Sequence, residues 1–162
     1  MFPIDFCHIP VSIIKRSAGR SAVAAAAYRS GTKLTNEWDG MTHDYTRKGG
    51  IVHAEIMLPA HAPPEFADRS ILWNSVEQIE KARDSQLARE IEAALPRELS
   101  GEQQLALVRA YVNDNFVDKG MCADFSSHLS HPGYAVHSRP DRMPCGTLRP
   151  TVHFLSEAGA SA

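Results

Sequence analysis

Three cysteines are too few and too scattered for a disulfide framework: Cys7, Cys122 and Cys145 form no spaced pairs. An odd count suits a reducing compartment, so the expected location is cytoplasmic. No apolar run reaches the roughly 18 residues of a membrane-spanning helix, and no membrane segment is expected. The opening Met1-Phe2-Pro3-Ile4-Asp5-Phe6 lacks the basic-then-apolar order of a secretion signal. A net charge of −2 gives no general attraction to nucleic acid. There is no glycine-rich phosphate loop to suggest ATP use, and no paired nucleophile–base motif of hydrolase type. Although the chain has eight histidines, none stands two residues from another, so no His-x-His pair exists.

What is present is unevenly distributed. The 162 residues suffice for one domain with a single core. Residues 1–50 hold seven Lys/Arg against four acids, whereas residues 51–120 hold seven against twelve. A positive first third suits a phosphate backbone, where Lys and Arg release counterions, although a solvated face of mixed charge explains it as well. Within that third lies the most distinctive stretch, Arg20-Ser21-Ala22-Val23-Ala24-Ala25-Ala26-Ala27-Tyr28-Arg29-Ser30-Gly31. Alanine is the best helix former, Ser17 or Ser21 supplies an N-cap, and Gly31 a stop. Small faces let such a helix pack closely on a sheet and leave Tyr28 as the largest group near its end. Tyr28 then either fills space or acts as a nucleophile.

The remaining elements alternate. Phe6–Ile14 and Ile51–Leu58 read as strands. Residues 32–50 read as a loop or irregular hairpin carrying Trp38, Tyr45, Arg47 and Lys48. Its aromatics can stack on unpaired bases while the cations hold phosphate; alternatively Trp38 anchors the loop to the body. Pro64 fits the first turn of a helix, and residues 65–85 show helical spacing at Ile71, Leu72, Val76 and Ile79. Leu87–Leu95 is either a short strand or a helix tail. Ser100 and Gln103 form a capping box, and the helix they open buries Leu105, Val108, Val112 and Phe116 before Gly120. Met121–Ser127 is a further strand that delivers His128. Strands alternating with helices make an α/β or α+β sheet protein.

Several of these stretches carry a resemblance. Residues 17–31, together with Thr42-His43-Asp44-Tyr45-Thr46-Arg47-Lys48-Gly49-Gly50, Val52-His53-Ala54-Glu55-Ile56, Leu87–Pro96 and Ala123-Asp124-Phe125, resemble the N-terminal relaxase domain of MobA/MobL-type plasmid mobilisation proteins, a family that includes TraA-like conjugation proteins. The resemblance covers about residues 9–128. It implies an α+β fold, an antiparallel sheet covered by helices, of the histidine–hydrophobe–histidine superfamily, and it favours a strand at Leu87–Leu95. It also implies metal-dependent nicking of one DNA strand at an origin of transfer, with Tyr28 attacking a phosphodiester and becoming linked to the 5′ end. Single-stranded DNA is then the partner, with other relaxosome and conjugation proteins beside it. Arg20, Arg29, Arg47, Lys48 and Trp38 are the candidate DNA contacts.

Relaxases of this family hold a divalent ion, Mg or Mn, with a lone histidine at one strand's end and a histidine pair on the next. Residue types alone explain why: a phenol with a pKa of about 10 needs charge neutralised at the phosphate before it can attack. His128 matches the lone histidine. The pair is absent, and His131 or His137 substitutes only if the chain beyond folds back. Glu90, Glu92 and Glu55 are candidate supporting acids, able to orient a ligand or take a proton. The competing reading is a solvated acidic face beside Arg89, or for Glu55 a structural pair with His53. Because the resemblance stops near residue 128, the expected organisation is a partial relaxase domain over 1–128 and a divergent, poorly ordered tail over 129–162, as from a truncated or frameshifted coding region. Two readings compete with an active relaxase. One is a non-catalytic remnant that at most binds single-stranded DNA; the other is a zinc protein using Cys122, His128, His131, His137 and Cys145, whose spacings fit structural zinc poorly.

Overall fold

The computed structural model describes residues 11–93, 95–96, 98–129 and 148–155; for residue 129 and residues 148–155 it describes the backbone. In chain order the elements are β1 (Val11–Lys15), α1 (Ala22–Ser30), β2 (Lys33–Thr35), β3 (Thr42–Asp44), β4 (Ile51–Met57), α2 (Arg69–Ile79), β5 (Gln86–Glu92), α3 (Gly101–Asn115), β6 (Ala123–Leu129) and β7 (Leu148–Leu155). Five strands form one sheet in the order β1-β5-β7-β6-β4, and each neighbouring pair is antiparallel. β2 and β3 make a separate hairpin. The architecture is therefore α+β, an antiparallel sheet with helices on it, as expected.

Side chains alternate across the sheet, and each face has its own core. Against one face α1 and α2 bury Ile14, Ala22, Val23, Ala26, Ala27, Leu72, Trp73 and Val76. On the other, α3 buries Val108 and Val112 against Ile91, Ala123 and Phe125. The alanines of α1 explain its closeness to the sheet: Ala22, Ala26 and Ala27 are at most 1% exposed.

The caps follow the sequence. Ser21 is the N-cap of α1 and accepts from the Ala24 N–H, Asp68 caps α2, and the Ser100–Gln103 box opens α3. α1 has a second anchor that no local pattern announces. The Glu77 carboxylate of α2, 2% exposed, accepts from the Ala22 N–H at 2.7 Å and the Ser21 hydroxyl at 2.8 Å. Arg16 balances that charge at 3.1 Å and also donates to the carbonyls of Glu77 and Glu80. A buried carboxylate is tolerated because it is paired and because it meets the positive end of a helix.

One alternative closes as the resemblance favoured, and one expectation changes. β5 is a strand, which removes the helix-tail alternative for Leu87–Leu95. More consequentially, β7 lies beyond the boundary expected near residue 128, and it occupies the middle of the sheet between β5 and β6. The strand expected to be missing is therefore present in Leu148–Leu155. Pro150 hid it, because a proline inside a run argues against a central strand. The rest of the expected tail, including His131, His137 and Cys145, lies outside the described residues, as do Cys7 and the beginning of the first expected strand.

Gly31 ends α1 at φ +65°, and a Cβ there would lie 2.2 Å from Cδ1 of Ile51. Both the left-handed backbone and the close approach require glycine. Gly31→Ala is expected to destabilise the fold by about 2 kcal/mol or more, combining the left-handed penalty with overpacking. Urea unfolding followed by circular dichroism measures it; a midpoint equal to wild type would show that the end of α1 is not constrained in this way.

Candidate active site

Tyr28 sits in the last turn of α1, 45% exposed, so it fills no core. Its ring meets Tyr45 edge-on, with centroids 5.2 Å apart and an interplanar angle of 87°. Lys48 places its Nζ 3.5 Å from the centroid of the Tyr28 ring and donates to the Tyr28 carbonyl at 2.8 Å. Burial, and secondarily the charge of Arg29, lower the Lys48 pKa from 10.5 to about 8. Tyr45 and Lys48 come from the turn after β3, which is tied back by the Tyr45 N–H to Thr32 carbonyl bond and by the Lys48 N–H to Tyr45 carbonyl bond.

Beneath this end of the helix lies Glu90 of β5, 6% exposed. It accepts from Arg29 Nε at 2.7 Å, from Arg20 at 2.9 Å and from the Ser12 hydroxyl at 3.2 Å. Glu90 is thus no solvated acid beside Arg89; it gathers Arg20, just before α1, and Arg29, in its last turn. Their guanidinium charge is partly spent on it. Glu92 shares the Glu90 face of β5, two residues along the strand. Glu55 does not: it pairs with Phe125 of the α3 face and accepts from Arg109 of α3 at 2.8 Å. Burial raises the Glu55 pKa, but the Arg109 hydrogen bond and charge outweigh it and the net shift is downward. His53 stands 3.5 Å from the same carboxylate, so the structural pairing holds and Glu55 lies across the sheet from Tyr28.

Trp38 also stands apart. It occupies the tip of the β2–β3 hairpin, where Asn36 bonds to Ser21, and that tip adjoins the start of α1 rather than its end. Arg16 covers its ring at 4.2 Å, yet the residue is 48% exposed. Arg47 is exposed in the turn beside Lys48. The loop therefore does not gather its aromatics as one stacking surface: Tyr45 joins Tyr28, and Trp38 goes to the other end of the helix.

His128 lies at the end of β6, on the same strand face as Asp124 and Ser126. It pairs with Ile51, the residue against which Gly31 packs, so the end of α1 and His128 share one end of the sheet. Its Nε2 lies 3.1 Å from the Ser126 hydroxyl. The next strand, β7, is where the resemblance sets a histidine–hydrophobe–histidine pair; its Thr151-Val152-His153 offers the hydrophobe and one histidine, with threonine at the other position. By register His153 is level with Asp124 and Glu90, whereas His128 is level with Arg149. That offset of four residues is roughly 13 Å at the strand rise. Among the described residues no three His, Cys, Asp or Glu groups come together to hold a metal ion. The described residues therefore do not by themselves fit the divalent ion that the resemblance implies. Of the five residues in the zinc reading, Cys122 is buried and His128 ends β6, and the other three lie outside the described residues.

An alanine-rich helix laid with α2 over one face of a five-stranded antiparallel sheet, with α3 over the other, defines an α+β protein, and comparison with known proteins places it among the relaxase-like ones. The chain belongs to the MobA/MobL family, whose family model matches residues 20–155. It is 47% identical over 136 residues to the conjugal transfer protein TraA of Rhizobium radiobacter, a match covering 78% of this chain and 12% of that protein. It is 44% identical to TraA of Agrobacterium fabrum, over 96% of this chain and 14% of the relative. Against the mobilization protein MobL of Acidithiobacillus ferridurans the identity is 47%, over 75% of this chain and 31% of the relative. The chain thus spans less than a third of the length of each of these three relatives. A solved structure described as the molecular basis of vancomycin resistance transfer in Staphylococcus aureus superposes with a TM-score of 0.72 at 27% identity, covering 91% of this chain and 68% of that one.

The Lys48 environment gives a direct check. After reductive ¹³C-methylation, the Lys48 signal is expected to titrate near pH 8 in NMR spectra, well below the ordinary lysine range of about 10.4. Titration above pH 10 would mean that the amine is solvated and not packed on Tyr28.

Proposed function

We propose that this chain is a relaxase domain that nicks one strand of DNA at an origin of transfer, with Tyr28 as the nucleophile. The observation that carries the reading is Tyr28 itself: a half-exposed tyrosine, ordered at a helix end by neighbours that leave it open to solvent. In the proposed step the phenolic oxygen attacks phosphorus and the phosphorus–O3′ bond breaks. The phenolic proton passes to solvent, and the departing 3′ oxygen takes one up. The products are a free 3′ hydroxyl and a 5′-phosphotyrosine, so one ester replaces another without net hydrolysis.

The chain's own residues supply positioning and charge. Glu77 and Ser21 fix the start of α1, while Gly31 and the turn at residues 45–48 fix its end. Positive charge around Tyr28 comes from Arg29 and Arg47, with Arg20 bound to Glu90 nearby. Such charge favours a phosphate that gains negative charge in the transition state. Mg²⁺ or Mn²⁺ remains part of the proposal as a variable in its test. A non-catalytic domain that only binds single-stranded DNA is the second reading, favoured by Thr151 standing in β7 where the resemblance sets a histidine.

The test uses labelled single-stranded oligonucleotides tiling the DNA around the gene, with Mn²⁺, Mg²⁺ or EDTA. A covalent protein–DNA adduct is expected from wild type and none from Tyr28→Phe, a loss of at least about 10³-fold on removing a nucleophile. Mass spectrometry of the adduct locates the modified residue. DNA binding without an adduct would select the binding-only reading, and neither binding nor adduct would overturn both.

A further inference from the structure

Lys48 is placed among the candidate DNA contacts by its charge and its loop. Its geometry says something else. The one Nζ both donates to the Tyr28 carbonyl at 2.8 Å and lies 3.5 Å from the centroid of the Tyr28 ring. The carbonyl belongs to the last turn of α1, where backbone acceptors lack helical partners and a cation is favoured. The ring face attracts the same cation. Tyr45, three residues before Lys48 and bonded to it through the backbone, holds the ring from another direction. One short turn thus grips both the backbone and the side chain of the residue at the helix end.

We propose that Lys48 is a positioning residue for Tyr28, one that orients the phenol rather than binding the DNA phosphate. This rests on Tyr28 being the nucleophile, as proposed above. A phosphate-binding lysine keeps its ammonium hydrated and directed outward, whereas this one is directed at Tyr28 and desolvated enough to lower its pKa to about 8. The phosphate-contact role at this turn falls to its exposed neighbour Arg47. For a half-exposed tyrosine the benefit is rotamer restriction: an oriented nucleophile begins closer to the in-line geometry of attack.

Lys48→Met keeps the unbranched stem, one atom shorter, and removes the charge and donors; Lys48→Arg keeps both charge and donors. Three readouts separate the roles. The first is ¹³C NMR of the Tyr28 ring in the whole chain without DNA, assigned with Tyr28→Phe. In Lys48→Met the ring signals are expected to shift and narrow towards those of a freely rotating tyrosine, and Lys48→Arg to restore them in part. The second is the rate of adduct formation at saturating oligonucleotide, expected to fall about 10- to 100-fold in Lys48→Met. The third is affinity for the same oligonucleotide, expected to stay within about twofold with an unchanged salt slope. Unchanged ring signals would overturn the proposal. So would a weakened affinity whose salt slope drops by about 0.7 while the saturated rate holds, since that is the signature of a lost phosphate contact. If wild type forms no adduct, the relaxase reading fails by that result, and the ring spectra still decide whether Lys48 orients Tyr28.

Discussion

The buried carboxylate of Glu77 is the contact on which the placement of α1 depends. It comes from α2, sits at the start of α1, and accepts from the Ala22 N–H and the Ser21 hydroxyl. Arg16 neutralises it and reaches across to cover Trp38. One charge therefore joins α1, α2, the segment after β1 and the tip of the β2–β3 hairpin. Removing the acid would strand Arg16 and leave the Ala22 N–H without its acceptor in a dry place, the costly way to break such a pair. With its start fixed there and its alanine face pressed on the sheet, α1 has one position, and Tyr28 inherits it.

A second buried acid repeats the logic on β6. Asp124, 3% exposed, receives Arg69 at 2.7 and 2.9 Å and the indole N–H of Trp73 at 2.8 Å, which fixes α2 to the middle of the sheet. Glu90 on β5 does the same for Arg20, just before α1, and Arg29, in its last turn. Each acid lies on the α1/α2 face and is paired with cations from the helical layer. The sheet therefore holds its helices through ion pairs as well as through apolar packing. These pairs consume much of the positive charge that the composition assigns to the first third of the chain. Charge counted along a sequence overstates what a phosphate meets, because Arg16, Arg20 and Arg29 answer to carboxylates within the fold.

The opposite face is more conventional. α3 covers it with Val108 and Val112, and Glu55 with Arg109 closes its rim. Among the described residues of that face none addresses Tyr28, and the division between faces is strict because alternate residues of a strand point apart. For a MobA/MobL chain this assigns work by layer: the α1/α2 face and the turn after β3 organise the tyrosine, and the α3 face supplies the core that keeps the sheet rigid beneath it.

Much of this was legible from the residues alone. The alanine run with serine before it and Gly31 after it specified a capped helix ending at Tyr28, because propensity and capping are local. The Ser100–Gln103 box and the alternation of Ile51–Leu58 were equally plain. Glu90 and Glu92 stood out as candidate acids, and the resemblance favoured a strand for β5. What stayed hidden was non-local. Glu77 looks like any polar position on a helix until α1 is laid against it, 55 residues earlier in the chain. β7 carries a proline, and only its place between β5 and β6 shows it to be a strand. Lys48 resembled a surface cation, and Trp38 a partner of Tyr45. A sequence displays charge and ring, but the direction in which each points is set by packing. The sequence by itself determined the helix, its stop at Gly31 and the tyrosine in its last turn; the tertiary structure chose Ser21 as the cap and decided which charges remained for a ligand, because pairing with distant carboxylates is settled only when the layers meet.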